Sequence, residues 1–192
     1  MVPFIVKWIS TVWGVFTLVW IVAAFTSKRS VQRQTYGSRV LHVGLMFTGL
    51  VFIFDFWSLF TRGWLTTRLV PETPFWVLFG AALTVSGILF CLWARAILGK
   101  NWSGTVTIKQ NHELILRGPY AFVRHPIYTG LLMGLLGTAI VFGLARCLVG
   151  VFICGLGLWI KSQTEEKFML QQFGEQYVSY RRQVRALIPY IL

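Results

Sequence analysis

The sequence predicts an all-α, polytopic integral membrane protein with about five transmembrane helices and a helical C-terminal extension in the cytoplasm. Of its 192 residues, 56% are hydrophobic and only 12% are charged, whereas soluble domains carry about 25% charged residues. The mean hydropathy is +0.66. The net charge of +12 is compatible with nucleic-acid binding, but a soluble basic domain would not be this apolar. We therefore expect basic loops that face anionic lipid headgroups, and no nucleic-acid partner.

Five apolar runs account for the predicted helices. A helix needs about 20 mostly apolar residues to cross the hydrocarbon core of a bilayer. The candidates are residues 4–25, 40–60, 75–98, 127–145 and 147–160. The first is expected to be a retained span and not a removed signal, because a charged start and a small-residue cleavage site are lacking. The last two predict a tight hairpin, whose second arm is short unless it continues past Lys161.

The distribution of positive charge predicts the orientation. In a five-span arrangement, segments 26–39, 95–126 and 161–192 lie on one side of the membrane and hold 14 of the 18 Lys and Arg residues. The positive-inside rule then places the N-terminus outside and the C-terminus in the cytoplasm. The two long polar segments, 99–126 and 161–192, both face the cytoplasm. We expect the functional site where these two segments meet the membrane.

The first candidate motif surrounds the start of the fourth span. Pro126 opens the apolar run and suits the first helical position, where no amide hydrogen is needed. This places His125 at or near the helix cap, where free backbone amides and the helix dipole favour a negative group. Arg124 adds a polar donor, and Tyr128 lies one turn inside the helix. The alternative is an interfacial belt, since Arg, His and Tyr often anchor helix ends at headgroup depth.

The second candidate motif follows the fifth span. Adjacent carboxylates at Glu165 and Glu166 are unfavourable there unless they face water, a partner or a cavity. Lys161 and Glu165 share a helix face and could simply form a pair. In the functional interpretation, one carboxylate holds a hydroxyl- or amine-bearing cofactor and the cation orients an anionic substrate. The amphipathic tail, residues 168–192 with a break at Gly174, is either an interfacial helix or a lid over the site.

The remaining polar and sulfur-bearing residues of the spans predict no further site. Asp55 in the second span lies near its external end, where reaching water explains it better than a function does. His42 suits an ordinary interfacial role. With three scattered His and no Cys pair, a metal site is not expected. The three cysteines are interpreted as small buried apolar residues: Cys91, Cys147 and Cys154.

An ordered set of short motifs runs through the second half of the chain: N-W-S at 101–103, H-E-L at 112–114, R-G-P-Y at 117–120, R-H-P-x-Y-x-G at 124–130, E-E at 165–166 and F-G-E-x-Y at 173–177. This set resembles the isoprenylcysteine carboxyl methyltransferase family over about residues 92–192. Phospholipid N-methyltransferases are similar in the same half. The resemblance implies one domain over residues 1–192, with membrane helices in 1–91 and the cofactor-binding, catalytic half in 92–192.

The resemblance also implies the cofactor and the site. The cofactor is S-adenosyl-L-methionine, enclosed by the last helices and the C-terminal tail. Lys161, Glu165 and Glu166 are the expected catalytic residues, and Lys161 also stands where isoprenylcysteine enzymes carry a substrate-binding Arg. Because Lys is a point charge that cannot grip a carboxylate bidentately, acceptors other than prenylcysteine stay open. The cofactor contacts carried over are His112, Glu113, Leu114, Ile115, Tyr120, His125, Pro126, Ile127, Tyr128 and Glu165.

Three functions follow for testing. The first is methylation of a lipid-linked or hydrophobic acceptor at the membrane–cytoplasm boundary, most like O-methylation of an isoprenylcysteine carboxylate. The second is N-methylation of an aminophospholipid, which requires removal of a proton from the amine. The third is a non-enzymatic membrane scaffold.

Overall fold

The computed structural model describes residues 2–25, 30–33, 36–99, 102, 107–109 and 114–188. These residues form α-helices and one two-stranded antiparallel ribbon, in which Ser30 pairs with Lys109 and Arg33 with Thr107. The elements in chain order are α1 (Val2–Ala24), β1 (Ser30–Arg33), α2 (Tyr36–Phe54), α3 (Pro74–Leu98), β2 (Thr107–Lys109), α4 (Pro126–Phe142), α5 (Ala145–Phe173) and α6 (Glu175–Gln183), with 3-10 turns at Trp64–Thr66 and Gly118–Ala121.

The predicted helical membrane fold is confirmed. The helices α1, α2, α3 and α5 are long and apolar enough to cross a bilayer, and α4 is a shorter apolar helix of 17 residues. The predicted hairpin is α4 and α5, which reverse direction at Gly143, a residue in the left-handed conformation. The second arm does continue past Lys161, to Phe173. The protein is thus an integral, multi-pass membrane protein.

The bounds predicted for the second span were wrong. The helix begins at Tyr36 and ends at Phe54, not at residue 60. Asp55 follows the helix with a φ of 48°, and its Oδ1 accepts a hydrogen bond from the amide of Leu59 at 2.7 Å. A carboxylate that bonds the backbone locally in this way favours a turn over continued helix. Asp55 therefore terminates α2, and the apolar residues after it lie in the connection.

Glycines allow α3 and α4 to pack with their backbones in close contact. A Cβ added at Gly87 would lie 2.4 Å from the amide nitrogen of Gly134, and one at Gly137 would lie 2.5 Å from the carbonyl oxygen of Gly80. Small residues at such spacing are the usual solution for helix association in membranes. Buried Thr84 adds a polar contact at this interface, because its hydroxyl on α3 donates to the carbonyl oxygen of Gly134 on α4 at 3.3 Å. The two helices consequently form one closely packed pair.

A second close pair consists of α2 and α5. A Cβ at Gly49 would lie 2.4 Å from the Sγ of Cys154, and one at Gly150 would lie 2.5 Å from the carbonyl oxygen of Gly49. The three cysteines are buried and free, as predicted. The hairpin turn joins the two pairs, and α1 docks onto α4 through Trp13, whose indole Nε1 donates to Thr138 at 2.9 Å. The start of α4 and the end of α5 therefore meet at one end of the bundle.

Candidate active site

The start of α4 is held by the C-terminal segment. Pro126 occupies the first turn and His125 is the cap residue, as predicted. The amides of Arg124 and His125 donate to the carbonyls of Arg185 and Ala186 at 2.8 and 3.0 Å, and the hydroxyl of Thr129 donates to the carbonyl of residue 187 at 2.6 Å. The tail after α6 thus lies along residues 123–125 as a short parallel bridge. A chain segment about 60 residues away in sequence fixes the backbone of the motif.

His125 lies between the two adjacent carboxylates of α5. Its Nδ1 is 3.4 Å from Oε2 of Glu165, and its Nε2 is 3.3 Å from Oε1 of Glu166. The imidazole is 7% exposed and stacks on the ring of Tyr128, with centroids 5.4 Å apart and planes within 1°. The structure therefore brings together four of the predicted site residues.

The electrostatic setting favours the protonated form of His125. Burial alone would lower its pKa, but hydrogen bonds and charge from Glu165 and Glu166 outweigh burial and raise the pKa above its usual value. In the protonated ring both nitrogens donate, which matches a carboxylate oxygen on each side. The arrangement thus suits an imidazolium between two carboxylates.

The two carboxylates have different surroundings. Glu166 has a side chain that is only 4% exposed, and its Oε1 accepts from Arg124 Nε at 2.9 Å and Nη2 at 2.5 Å. Its Oε2 lies 3.3 Å from Nε of Arg181 on α6. Glu165 is 22% exposed and accepts a 2.5 Å hydrogen bond from the Tyr128 hydroxyl. Glu165 is therefore the more open carboxylate, whereas Glu166 is enclosed by cations.

Lys161 lies one helical turn before Glu165 on α5. Its Nζ is 5.3 Å from the centroid of the Tyr128 ring, a cation–π arrangement. The charge of Lys161 also acts on Glu165. The predicted cation is therefore at the site, beside the open carboxylate and the aromatic face.

The apolar part of the predicted site is one wall of the main core cluster. Tyr120, Ile127 and Tyr128 are buried there together with the tail residues Ala186 and Leu187. Burial raises the pKa of the Tyr120 phenol, so this group stays protonated. The Tyr180 hydroxyl of α6 donates to the Tyr120 backbone carbonyl at 2.6 Å. The tail helix therefore packs directly on this wall.

The other predicted contacts are distributed as follows. Ile115 is half-buried and packs against the same cluster, Leu114 is half-buried beside it in sequence, and Pro126 is fully buried. His112 and Glu113 lie outside the described residues, so their predicted contacts stay predictions.

Sequence reasoning missed the cations around Glu166. The motif predicts only a polar donor at Arg124, whereas the structure adds its pairing with Glu166, 42 positions away, and the approach of Arg181 to the same carboxylate. Opposite charge was a usable signal for Arg124, because an arginine in the first motif could pair with one of the two glutamates in the second. For Arg181 there was none: the chain turns at Gly174, where φ is 49°, and helical spacing cannot be carried across that break.

The order of elements and the motifs at the bundle end agree with a known family. The family model of the isoprenylcysteine carboxyl methyltransferases matches residues 76–171, half of the chain, and includes α4 and nearly all of α3 and α5. The chain belongs to this family. The segment matched holds the residues that bracket His125, whereas the tail segment that bonds the motif backbone lies beyond it.

Curated relatives of the isoprenylcysteine carboxyl methyltransferase family show the same relationship. The protein-S-isoprenylcysteine O-methyltransferase of Schizosaccharomyces pombe is 36% identical over 99 residues, which cover 48% of this chain and 41% of that protein. The human protein of the same name is 31% identical over 122 residues, covering 57% of this chain and 42% of that one. The chain thus spans less than half the length of these two relatives.

The fold is also that of a solved family member. The structure described as the eukaryotic intramembrane Ras methyltransferase, an isoprenylcysteine carboxyl methyltransferase, aligns with a TM-score of 0.52 and 23% identity. The alignment covers 84% of this chain and 55% of that chain. It extends the likeness in fold beyond the segment matched by the family model.

Proposed function

We propose that this protein is an S-adenosyl-L-methionine-dependent methyltransferase that methylates a lipid-linked or hydrophobic acceptor at the membrane surface, most like an isoprenylcysteine carboxyl O-methyltransferase. One observation carries the proposal: His125, Tyr128 and Glu165, which come from opposite arms of the α4–α5 hairpin, converge within hydrogen-bonding distance inside the segment that defines the family. A scaffold would not require a half-open carboxylate to be fixed by two buried donors.

The donor set suits the proposed cofactor. S-adenosyl-L-methionine carries hydroxyl and ammonium groups, which a carboxylate accepts well, and a sulfonium cation, which aromatic faces attract. Glu165 is a carboxylate with 22% of its side chain exposed, and aromatic rings are available at Tyr120 and Tyr128. We assign Glu165, His125 and Tyr128 to the polar contacts, and the side chains of Leu114, Ile115 and Ile127 to the apolar ones.

The chemistry asks for positioning more than for acid–base catalysis. The bound cofactor supplies a methyl group that its sulfonium sulfur has already activated, so an ionised carboxylate acceptor needs no general base. The role of the protein is then to align the reactants and to exclude water. Stacked His125 and Tyr128 fix Glu165 in one orientation, and the tail segment over the start of α4 covers the wall formed by Tyr120.

Lys161 is the proposed contact for the anionic acceptor. Its ammonium lies at the Tyr128 ring, beside Glu165, so that an acceptor carboxylate bound to it would lie next to the cofactor-binding group. A single ammonium orients a carboxylate less strictly than a guanidinium does. Wider acceptor tolerance than in an enzyme with Arg at this position is the expected consequence.

An aminophospholipid acceptor is the second candidate. The observation that favours it is the carboxylate pair itself, because an amine must lose a proton before methylation and Glu165 could accept that proton.

The proposed orientation, with the N-terminus outside and the site at the cytoplasmic surface, is the same for both acceptors. Support for it comes from the shared location of the site and the basic segments that contain Arg117, Arg124 and Lys161.

Calorimetry on the detergent-solubilised chain tests for the cofactor. We expect S-adenosylhomocysteine to bind, and no detectable binding under several lipid conditions would contradict both enzymatic functions. Transfer of radiolabelled methyl to prenylcysteine analogues or to aminophospholipids then identifies the acceptor. Base-labile label indicates a methyl ester and supports the first function, whereas base-stable label indicates a methylated amine and supports the second.

A further inference from the structure

The two adjacent glutamates of α5 share one histidine but have different partners. The Nδ1 of His125 lies 3.4 Å from Oε2 of Glu165, and its Nε2 lies 3.3 Å from Oε1 of Glu166. Beyond the histidine, Glu165 meets Tyr128 and an open side, whereas Glu166 meets two arginines. The proposed cofactor contact is Glu165, which leaves the buried Glu166 without a function in binding.

The cations on Glu166 come from two elements that the chain must bring together. Arg124 belongs to the motif itself, and both its Nε and its Nη2 donate to Oε1 of Glu166. Arg181 lies on α6 and approaches Oε2. Arg124 also donates through Nη1 to the carbonyls of Arg181 and Val184. One guanidinium thus holds Glu166 with one edge and the tail backbone with the other.

We propose that Arg124 and Arg181 are positioning residues that hold Glu166 against His125, so that docking of the C-terminal tail sets the orientation of the His125–Glu165 pair. The expected effect on cofactor affinity rests on the proposed function. The contacts that position the histidine do not depend on it. They form a chain from the tail, through Glu166, to the histidine.

The charges that face His125 define what each substitution does. From α5 come the carboxylates of Glu165 and Glu166, and from α4 comes the ring of Tyr128. The guanidiniums of Arg124 and Arg181 act through Glu166. Replacing Glu166 by Gln removes one anion, so that the imidazolium is less stable and loses its proton at lower pH. Replacing Arg181 removes a cation instead, and the direct effect of that loss on the His125 midpoint is upward.

The first experiment compares two neighbouring arginines of α6. Arg181→Gln should weaken S-adenosylhomocysteine binding about two- to fivefold, the range for one partly exposed ion pair. The conservative Arg181→Lys should restore part of the affinity. Arg182→Gln makes the same change of charge one position away, and within the described part of the chain Arg182 is exposed and outside the ion pairs of Glu166; it should bind as the wild type does. Equal affinities in Arg181→Gln and Arg182→Gln would overturn the inference.

The second experiment measures His125 directly and without cofactor. The histidine resonances of the full, isotope-labelled chain in detergent are assigned with His42→Gln and His125→Gln, and the midpoint of His125 is followed against pH. We expect Glu166→Gln to lower this midpoint and Arg181→Gln to leave it unchanged or to raise it. A midpoint unaffected by Glu166→Gln refutes the positioning role.

The two proposals fail in different ways. A wild-type chain that binds no cofactor, but in which Glu166→Gln still lowers the midpoint, refutes the proposed function and supports the contact chain. Normal cofactor binding by the wild-type chain, together with a His125 midpoint that Glu166→Gln does not shift, supports the proposed function and refutes the contact chain. Should Glu166→Gln not fold, the comparison of Arg181→Gln with Arg182→Gln still decides the matter, because both side chains are on the surface.

Discussion

Substituting Gly87 by Ala is expected to damage both stability and catalysis through one displacement. A Cβ at Gly87 would lie 2.4 Å from the Gly134 amide nitrogen, 2.6 Å from the Gly130 carbonyl oxygen and 2.9 Å from the Gly134 Cα. Ordinary contact begins at 3.4 Å. Because all three neighbours are backbone atoms, no side-chain rotation relieves the clash, and α3 and α4 must separate by about 1 Å.

The size of the effect follows from that separation. Overpacking of this kind costs about 1–3 kcal/mol, which for a chain of this length lowers the melting temperature by roughly 2–12 °C. One of the two helices that must separate, α4, carries His125 at its start and Tyr128 one turn later. A misplacement of about 1 Å in a site that acts by positioning can reduce the rate about 100-fold.

The assay pairs thermal unfolding in detergent with labelled-methyl transfer. Gly14→Ala on α1 is the matched control, since nothing lies within 4 Å of its added Cβ. Alanine is favoured over glycine inside a helix by roughly 0.5–1 kcal/mol, so this variant should melt at or above the wild-type temperature and keep its activity. If Gly87→Ala melts and turns over as the wild type does, the close α3–α4 packing and its link to the site are both refuted.

Three further predictions concern the site itself. Glu165→Gln should weaken S-adenosylhomocysteine binding by about tenfold or more, because hydrogen bonds to a charged group contribute about 1.5–3 kcal/mol; calorimetry measures this, with exposed Glu175→Gln as control. Lys161→Ala should raise the KM for the acceptor and spare cofactor affinity, whereas exposed Lys167→Ala should change neither. His125→Asn should lower the melting temperature most below about pH 6.5, the usual histidine pKa. Since folding raises the pKa of His125, its protonated form stabilises the fold fully below that value, and the contribution disappears as pH rises through the folded-state pKa.

Each prediction has an outcome that contradicts it. Unchanged affinity in Glu165→Gln would remove that carboxylate from the cofactor site. Loss of cofactor affinity in Lys161→Ala, with acceptor use intact, would reverse the role given to the cation. A difference in melting temperature between wild type and His125→Asn that grows above neutral pH would show that the histidine is held neutral, not protonated.

The parts of the fold that depend on local chemistry could be predicted from the sequence. Pro126 suits only the first turn of a helix, so the start of α4 and the cap at His125 follow from residue type alone. Gly174, with its positive φ, marks the break before α6 for the same kind of reason. The end of α2 could not be predicted from hydropathy, because the residues after Asp55 are as apolar as those before it, and the local hydrogen bond of the carboxylate decides the matter.

The candidate site was predictable in composition but not in arrangement. Spacing placed His125 at the start of α4 and the glutamates beyond residue 160, the predicted end of the fifth span, and the hairpin brings these two regions together. Spacing could not predict which of the two carboxylates pairs with Arg124, because that pairing depends on how α4 and α5 are rotated about their axes. The approach of Arg181 depends further on the conformation at the α5–α6 break, which tertiary contacts with Tyr120 help to fix.

The geometry of the helix explains why two adjacent glutamates need not be equivalent. Successive residues of an α-helix point about 100° apart, so Glu165 and Glu166 cannot present their carboxylates to one ligand in the same way. A histidine that caps the neighbouring helix can nevertheless touch both, because its two ring nitrogens point in different directions. Once Arg124 and Arg181 enclose Glu166, that carboxylate serves as a fixed anion behind the ring, and the ring in turn orients Glu165. In the proposed arrangement the pair acts in series, from the tail to the open carboxylate, and we expect a substitution of either glutamate to weaken cofactor binding for a different reason.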